Sequence, residues 1–349
     1  MKQQRQLLLG VLLPMAAVLL SLGASSQSRL RPTREQTHAL YVEDLTGYLN
    51  LKTELYNFTE GFNVTSGTEQ LYKIRPNSLL VSKYYLHYRF IALSISFSPK
   101  FIGMNDDDEQ RGKTRTYSLA TRFYFNKFSQ ELSYSRTKGY YLKNSSDFDQ
   151  EYLVQFPNLM YRSFAGRTSY QFNPDFSLKA MFDQTERQIR NAGTPIISLG
   201  YNYHQTRNPD SEAMSHQRSN NFQMIAYLGY LKTVLLPYHF YLSGSIMAGA
   251  GGIHSRLVTE VDGVETASRY NNVIYHGTLG LTLGYDSKRF FWGFDLSASG
   301  ETYNQGKAES VLTQTKTTLS FHLGYRFNPP KFLKKSADKI NSVIPIELE

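Results

Sequence analysis

Residues Thr318 to Phe327 alternate without a break. Leu319, Phe321, Leu323, Tyr325 and Phe327 are large and apolar, while Thr318, Ser320, His322, Gly324 and Arg326 between them are small or polar. A period of two is the side-chain repeat of a β-strand, with one face suited to hydrocarbon and the other to water or a polar lumen. The same alternation returns around 49–56, 80–88, 91–97, 116–125, 128–134, 163–172, 195–204, 221–234, 240–246, 278–285 and 292–299. Each segment approaches the ~9–11 residues of a tilted membrane-spanning strand.

Short turns near Arg89, Asn126, Asn173, Pro237 and Asp286 alternate with long polar stretches near 99–113, 139–157, 252–273 and 301–312, which read as loops. Tight turns at one end and long loops at the other are the pattern of bacterial outer-membrane barrels. Counting 176–190 as a crossing of its own gives thirteen segments, and single-chain bacterial barrels have even strand numbers. Residues 176–204 are therefore assigned one crossing, with 176–193 folding into the lumen or making a periplasmic excursion. The fold expected is all-β: a single antiparallel up-and-down transmembrane barrel of about twelve strands, with fourteen also compatible.

The first residues carry Lys2 and Arg5, then an apolar run from Leu7 to Leu22 interrupted by Gly10, Pro14 and Ser21. The run falls short of the ~20 residues of a spanning helix. With the small Ala24 and Ser26 behind it, it reads as a cleaved secretory signal over 1–26. The expected organisation is then a periplasmic segment over 27–46, a barrel over 47–327 and a periplasmic tail over 328–349. No Cys is present (Cys 0), so neither a disulfide scaffold nor a lipoprotein anchor is available. The mean hydropathy of -0.41 does not argue against a membrane, because lumen-facing and lipid-facing residues average out in a barrel. Tyr 26 and Phe 22 against Trp 1 is an aromatic balance suited to membrane interfaces. The formal charge of +9 is not gathered into a nucleic-acid arm.

Charges at membrane depth must face the lumen or pair. The segment 176–190 carries Asp183, Glu186 and Arg187, which would line a pore or ligand site or form a salt-bridge network filling the barrel. Lys52, Glu54, Lys83, Arg122, Glu131, Arg167, Asp295, His322 and Arg326 are lumen candidates with the same two readings. Asn105 to Glu109 is an acidic stretch without calcium-loop spacing, and Arg111 and Lys113 compete for its carboxylates. Three glycosylation-type triplets at Asn57, Asn63 and Asn144 read as chance. His204, His254 and His276 fall near a barrel edge, but no serine signature accompanies them, so no catalytic residue is assigned. No cofactor is implied, and no metal can be named.

Further residues carry a resemblance. Phe101-Ile-Gly-Met-Asn-Asp-Asp-Asp with Arg111-Gly-Lys-Thr, Lys138-Gly-Tyr-Tyr, and Phe176-Ser177 with Ala180, Phe182 and Gln184 belong to it. So do Gln188 to Gly193 and the ending Gly324-Tyr-Arg-Phe-Asn-Pro-Pro-Lys331. Together they resemble a group of Bacteroidetes proteins catalogued as domain of unknown function 4421, across nearly the whole mature chain. Asn191-Ala-Gly-Thr departs from the Ser-Ala-Gly-Ser pattern of that group. The resemblance implies an outer-membrane barrel and no known activity.

The expected location is the outer membrane of a Gram-negative bacterium, with both ends in the periplasm. The expected partners are outer-membrane lipids, the barrel-assembly machinery that reads a terminal aromatic such as Phe327, and a small-molecule ligand; nucleic acid is not expected. Three functional readings follow: passage or binding of a small ligand through a charged lumen, a closed structural or surface-interaction barrel, and a lipid-active enzyme.

Overall fold

The computed structural model describes residues 34–343 apart from 58–60, 66–70, 78–79, 100–106, 209–214, 262–263 and 305–310. The signal segment 1–26, Asn105 and Asp106 of the acidic stretch, and Phe58 and Thr59 of the first triplet lie outside the described residues. A short helix, Arg34–Tyr41, leads into β1 (Val42–Asp44) and β2 (Leu49–Asn57). Then come β3 (Phe62–Thr65), β4 (Leu71–Arg75), β5 (Leu80–Tyr88), β6 (Ile91–Phe97), β7 (Arg115–Phe125), β8 (Phe128–Leu142) and β9 (Gln155–Gln171). The chain continues through β10 (Glu186–Gln188), β11 (Ala192–Asn208), β12 (Ser215–Leu235), β13 (Phe240–Val261) and β14 (Val264–Asp286). It closes with β15 (Phe290–Asn304), β16 (Val311–Phe327) and a helix, Lys331–Val343.

The wall runs β2-β5-β6-β7-β8-β9-β11-β12-β13-β14-β15-β16 and back to β2, a closed antiparallel barrel of 12 strands. Among the described residues each wall strand then has a neighbouring strand on both sides. The fourteen-stranded alternative fails because the two extra strands of the ladder, β3 and β4, have 4 and 5 residues and are too short to span. They form a hairpin between β16 and β8. Leu312 pairs with Val64, and Ile74 with Leu142. The hairpin thus continues the ladders of β16 and β8 beyond the short strands β2 and β5 to β7.

The expected loop at 252–273 is sheet instead. β13 and β14 stay paired out to Val261 and Val264. β-branched residues such as Val258 and Thr266 favour this extended pairing; the polarity marks a wall that rises beyond the apolar belt, not a chain leaving it. Elsewhere the expected loops shorten: β8 reaches Leu142, β15 reaches Asn304, and one helical turn occupies Asp108–Arg111. The tight turns at Arg89, Asn126, Pro237 and Asp286 fall where expected, with left-handed Arg89 (φ 52) and Asn126 (φ 58) at two of them, whereas Asn173 opens a long segment between β9 and β11.

Within the belt the outward face of the wall is apolar. On β16, Leu319 is 58% exposed, whereas the inward Arg326 is 0% exposed. Two aromatic rows bound this belt. Near the short turns, Phe128, Tyr170 and Phe172 touch in sequence, as do Phe240, Tyr285 and Trp292. Towards the other end, Tyr134, Phe164, Tyr203 and Phe222 are register partners on four adjacent strands, all exposed. Along β9 the rows are six to eight residues apart, about 20–27 Å at ~3.4 Å per residue. A strand tilt of ~35–45° reduces this to about 14–22 Å of height, the order of the ~25 Å apolar band of an outer-membrane barrel.

Leu296 lies between the rows, opposite Leu281 and Leu319. Leu296→Arg should lower stability in lipid vesicles by about 2–4 kcal/mol, as arginine does on a hydrocarbon-facing strand. Urea titration of vesicle-folded protein measures this; a neutral result would mean that the belt does not face hydrocarbon.

Candidate functional site

Between β9 and β11 the chain turns inward. Asn173 Oδ1 accepts the Asp175 N–H at 3.1 Å, a turn that asparagine makes with its own backbone. Asn173 also donates its N–H to Thr194 Oγ1 at 2.9 Å and its Nδ2 to the Gly193 carbonyl at 2.9 Å, so the two ends of the segment are clasped together. From there the chain passes through a π-helical turn, Lys179–Asp183, reverses at left-handed Gln184 (φ 51), and returns as β10. β10 pairs with β1, so the residues just ahead of the first wall strand complete the inward body. Ser177 Oγ donates to Glu186 Oε2 at 2.6 Å, and Lys179 lies 3.4 Å from the same carboxylate. The segment 176–193 therefore takes the lumenal course, not the periplasmic one.

The lumen it enters has two dissimilar halves. Ile196, Ile225, Tyr227, Leu231, Met247, Ile253 and Ile274 of β11 to β14 form an apolar cluster with Tyr303 of β15, and Phe176 and Leu178 of the inward segment pack into it. Opposite, β2, β5, β7 and β16 present polar and charged groups to the tip of the segment. Asn50 Nδ2 donates to the carbonyls of Asp183 (2.9 Å) and Gln184 (3.1 Å). Lys52 Nζ donates to the Phe182 carbonyl at 3.0 Å and to Gln184 Oε1 at 2.7 Å. Arg326 sends Nε and Nη2 to the Gln184 carbonyl at 2.9 and 2.7 Å, and Nη1 to Asp286 Oδ1 at 2.8 Å. Arg122 and the Tyr124 hydroxyl take the two oxygens of Asp183 at 2.9 and 2.7 Å. His87 Nδ1 donates to the Asp183 carbonyl at 3.1 Å. Charged and bidentate hydrogen bonds of this kind are the strong ones.

The structure brings most of the sequence-chosen residues into this one network. Arg122 also pairs with Glu131 at 2.7 Å. The Tyr85 hydroxyl donates to Glu54, while Lys52 and Lys83 lie 4.0 and 4.7 Å from the Tyr85 ring centre. His322 Nδ1 donates to Asp295 Oδ2 at 2.6 Å, and Thr282 to the other oxygen at 2.7 Å. Arg187 pairs with Glu43 on β1, so with Glu186 it belongs to the inward body itself. Arg167 stands apart from the network over Tyr227, 4.8 Å from its ring centre. Asn50, Tyr85, His87, Tyr124, Gln184 and Asp286 were not singled out by sequence. The first four sit at polar positions of the alternation, which is the signal that could have found them. In the acidic stretch, Arg111 pairs with Asp107 at 2.8 Å.

Among the described residues, two larger cavities flank the packed zone. One of about 190 Å³ lies near the short turns, among Arg187, Ile189, Leu235, His239, Tyr241 and Asp286. Another of about 140 Å³ lies towards the long-loop end. It is walled by Phe62 of β3, Tyr161 of β9, Asn202 and His204 of β11, Gln223 of β12, His276 of β14, Glu301 and Tyr303 of β15, and Lys316 of β16. On β12, Gln223 lines the upper cavity and Thr233 the lower one; Ile225, Tyr227 and Leu231 between them are buried in the apolar cluster. His254 instead pairs with Asn271 at 2.7 Å on the exposed wall.

A family model described as "Domain of unknown function (DUF4421)" matches residues 37–327. No curated protein matches the chain in sequence. Among solved structures, the outer-membrane protease OmpT of Escherichia coli aligns at 6% identity and TM-score 0.37, covering 80% of this chain and 97% of its own. An outer-membrane channel of Pseudomonas putida F1 aligns at 10% identity and TM-score 0.37, covering 86% and 100%. The P. putida toluene transporter TodX aligns at 9% identity and TM-score 0.30, covering 81% and 90%.

Arg326→Met would leave Asp286 buried without its cation and the Gln184 carbonyl without two of its donors. Breaking a buried pair from one side costs about 3–5 kcal/mol. The variant should unfold at correspondingly lower urea, and adding Asp286→Asn should recover part of the loss.

Proposed function

The chain belongs to the DUF4421 family, and we propose that it is a Gram-negative outer-membrane barrel that is closed at rest, binding from its outer side instead of passing solutes through. The observation that carries this is the inward segment, whose tip is held by Asn50, Lys52, Arg122, Tyr124 and Arg326 and whose base packs into the apolar half of the lumen. The belt between the two aromatic rows supports membrane insertion, since rings gather at both membrane interfaces. Short turns then lie in the periplasm, with the helices Arg34–Tyr41 and Lys331–Val343 on that side, and the tall strands β11 to β14 rise outward. Phe327 ends β16 at the periplasmic rim, where the assembly machinery would engage it.

In this reading the lumen candidates are a clamp, not a pore lining. Lys52, Arg122, Asp183 and Arg326 hold the segment to the wall. Glu54, Lys83, Glu131, Asp295 and His322 neutralise and orient the same half of the lumen. Glu186 and Arg187 hold the segment to itself and to β1, and Arg167 closes over Tyr227. An ion selectivity filter needs charges that are accessible to the permeating ion; these are committed to protein partners.

Planar-bilayer recording tests the proposal. The intact protein should show no steady conductance, and replacing 176–189 by a short glycine-serine turn should produce open, ohmic steps. Steady conductance of the intact protein would restore the passage reading.

A further inference from the structure

We propose that six arginines just beyond the upper aromatic row form a docking surface for the phosphorylated headgroups of outer-leaflet lipid; this rests on the membrane orientation given above. The strand register carries it. Arg136 of β8 stands directly opposite Arg162 of β9, Arg207 of β11 opposite Arg218 of β12, and Arg256 of β13 opposite Arg269 of β14. β8, β9, β11, β12, β13 and β14 are consecutive in the wall, so the three pairs form one basic row across half of the barrel. All six side chains are exposed.

The row faces outward. Residues two or four apart on a strand share a face. Arg136 and Arg162 are two residues beyond Tyr134 and Phe164, and Arg207 and Arg218 are four beyond Tyr203 and Phe222, the aromatic row itself. His254 is the cross-strand partner of Phe222, and Arg256 lies two residues past it, opposite Arg269. Two to four residues are ~7–14 Å along a strand, or about 5–11 Å of height at the ~35–45° tilt of such a wall. The headgroup layer outside the hydrocarbon is about 5–8 Å deep on each side. Flexible arginine stems make up the difference.

Like charges directly opposite each other destabilise a strand pair, and here this occurs three times in succession. Among the described residues none of the six arginines is in an ion pair. On β13 and β14 the next outward charges, Glu260 and Glu265, oppose each other four residues further on, ~14 Å along the strand. A row that repels itself in the bare protein is completed by a negatively charged ligand. Opposed side chains start ~4.5–5.5 Å apart at Cβ, close enough for one phosphate to bridge a pair. The guanidinium stays charged and its planar fork matches two oxygens of a phosphate. Continuity with the lipid-facing belt selects a lipid over a soluble polyanion, which would have to displace the headgroups already beside the wall.

The test uses the full mature chain folded in maltoside micelles, which carry no phosphate. Fluorescence titration compares labelled lipid A, a disaccharide lipid with two phosphates, with the same lipid lacking both phosphates and with a short DNA duplex. Lipid A should bind at least tenfold more tightly than either. The double variants Arg136→Gln with Arg162→Gln, and Arg256→Gln with Arg269→Gln, should each weaken its binding fivefold or more, with folding checked by heat-modifiable gel migration. If one variant misfolds, the other decides. Since each removes a repulsive pair, both should unfold at no lower urea than the parent protein in phosphatidylcholine vesicles. Equal binding of the two lipid forms, undiminished binding in a folded variant, or a fall in urea midpoint would overturn the docking surface. Tighter binding of DNA would overturn lipid as its occupant. The two proposals fail separately: a conducting intact barrel with phosphate-dependent lipid binding refutes closure alone, whereas a silent barrel without it refutes the docking surface alone.

Discussion

The backbone carbonyls at Phe182, Asp183 and Gln184 are the groups around which the charged half of this barrel is organised. A reversing segment inside a barrel cannot satisfy these oxygens itself, and buried backbone acceptors must find donors. The wall supplies them from β2, β5 and β16, with the longest reach coming from Arg326. The one carboxylate at the tip, Asp183, then offsets part of the positive charge this brings into the lumen, through Arg122 and Tyr124. Taken singly, an arginine with no exposed surface is costly to bury; here its bonds go to the Gln184 carbonyl, the Asp286 carboxylate and the Ser287 carbonyl.

The inward segment also matches the wall on its other side. Phe176 and Leu178 meet the apolar residues of β11 to β14, while Asp183 and Gln184 meet the polar ones of β2 and β7. A lumen with one oily and one charged half is filled by a segment with the same division. The close fit continues into the wall. A Cβ at Gly324 would come within 2.0 Å of the Phe291 ring, so the glycine opposite Phe291 lets that ring lie flat beneath the Arg326 guanidinium, 4.6 Å away.

The wall was legible because its signal is local and repeated: Leu319, Leu323 and Tyr325 against Ser320, His322 and Arg326 state a strand, two faces and their environments within one short segment. The inward course of 176–193 was half legible, since strand parity demanded an exception there but did not choose its direction. The β3–β4 hairpin was not legible, because four or five residues hold too little alternation and the ladder bonds that place them come from distant strands. Residues 252–273 misled for a different reason: polarity there reports height above the belt, and only the cross-strand partners of Arg256 and Arg269 show that the sheet continues. Among the charged residues, side-chain type marked Lys52, Arg122 and Arg326 as lumenal. It could not show that Lys52 and Arg326 also donate to main-chain oxygens, which carry no sequence signature.

The pairing of β1 with β10 places three residues of the amino-terminal segment inside the body that fills the lumen, only a few positions ahead of β2. β2 is itself the partner of β16, and β16 carries Arg326. Both sides of the seam that turns the sheet into a cylinder are therefore tied to the same internal object. During assembly the lumen must be furnished as the last strand meets the first, because Asn50 and Arg326 share the Gln184 carbonyl across that join. Once formed, the join resists lateral parting, since separating β16 from β2 would also split the donors of a single oxygen atom.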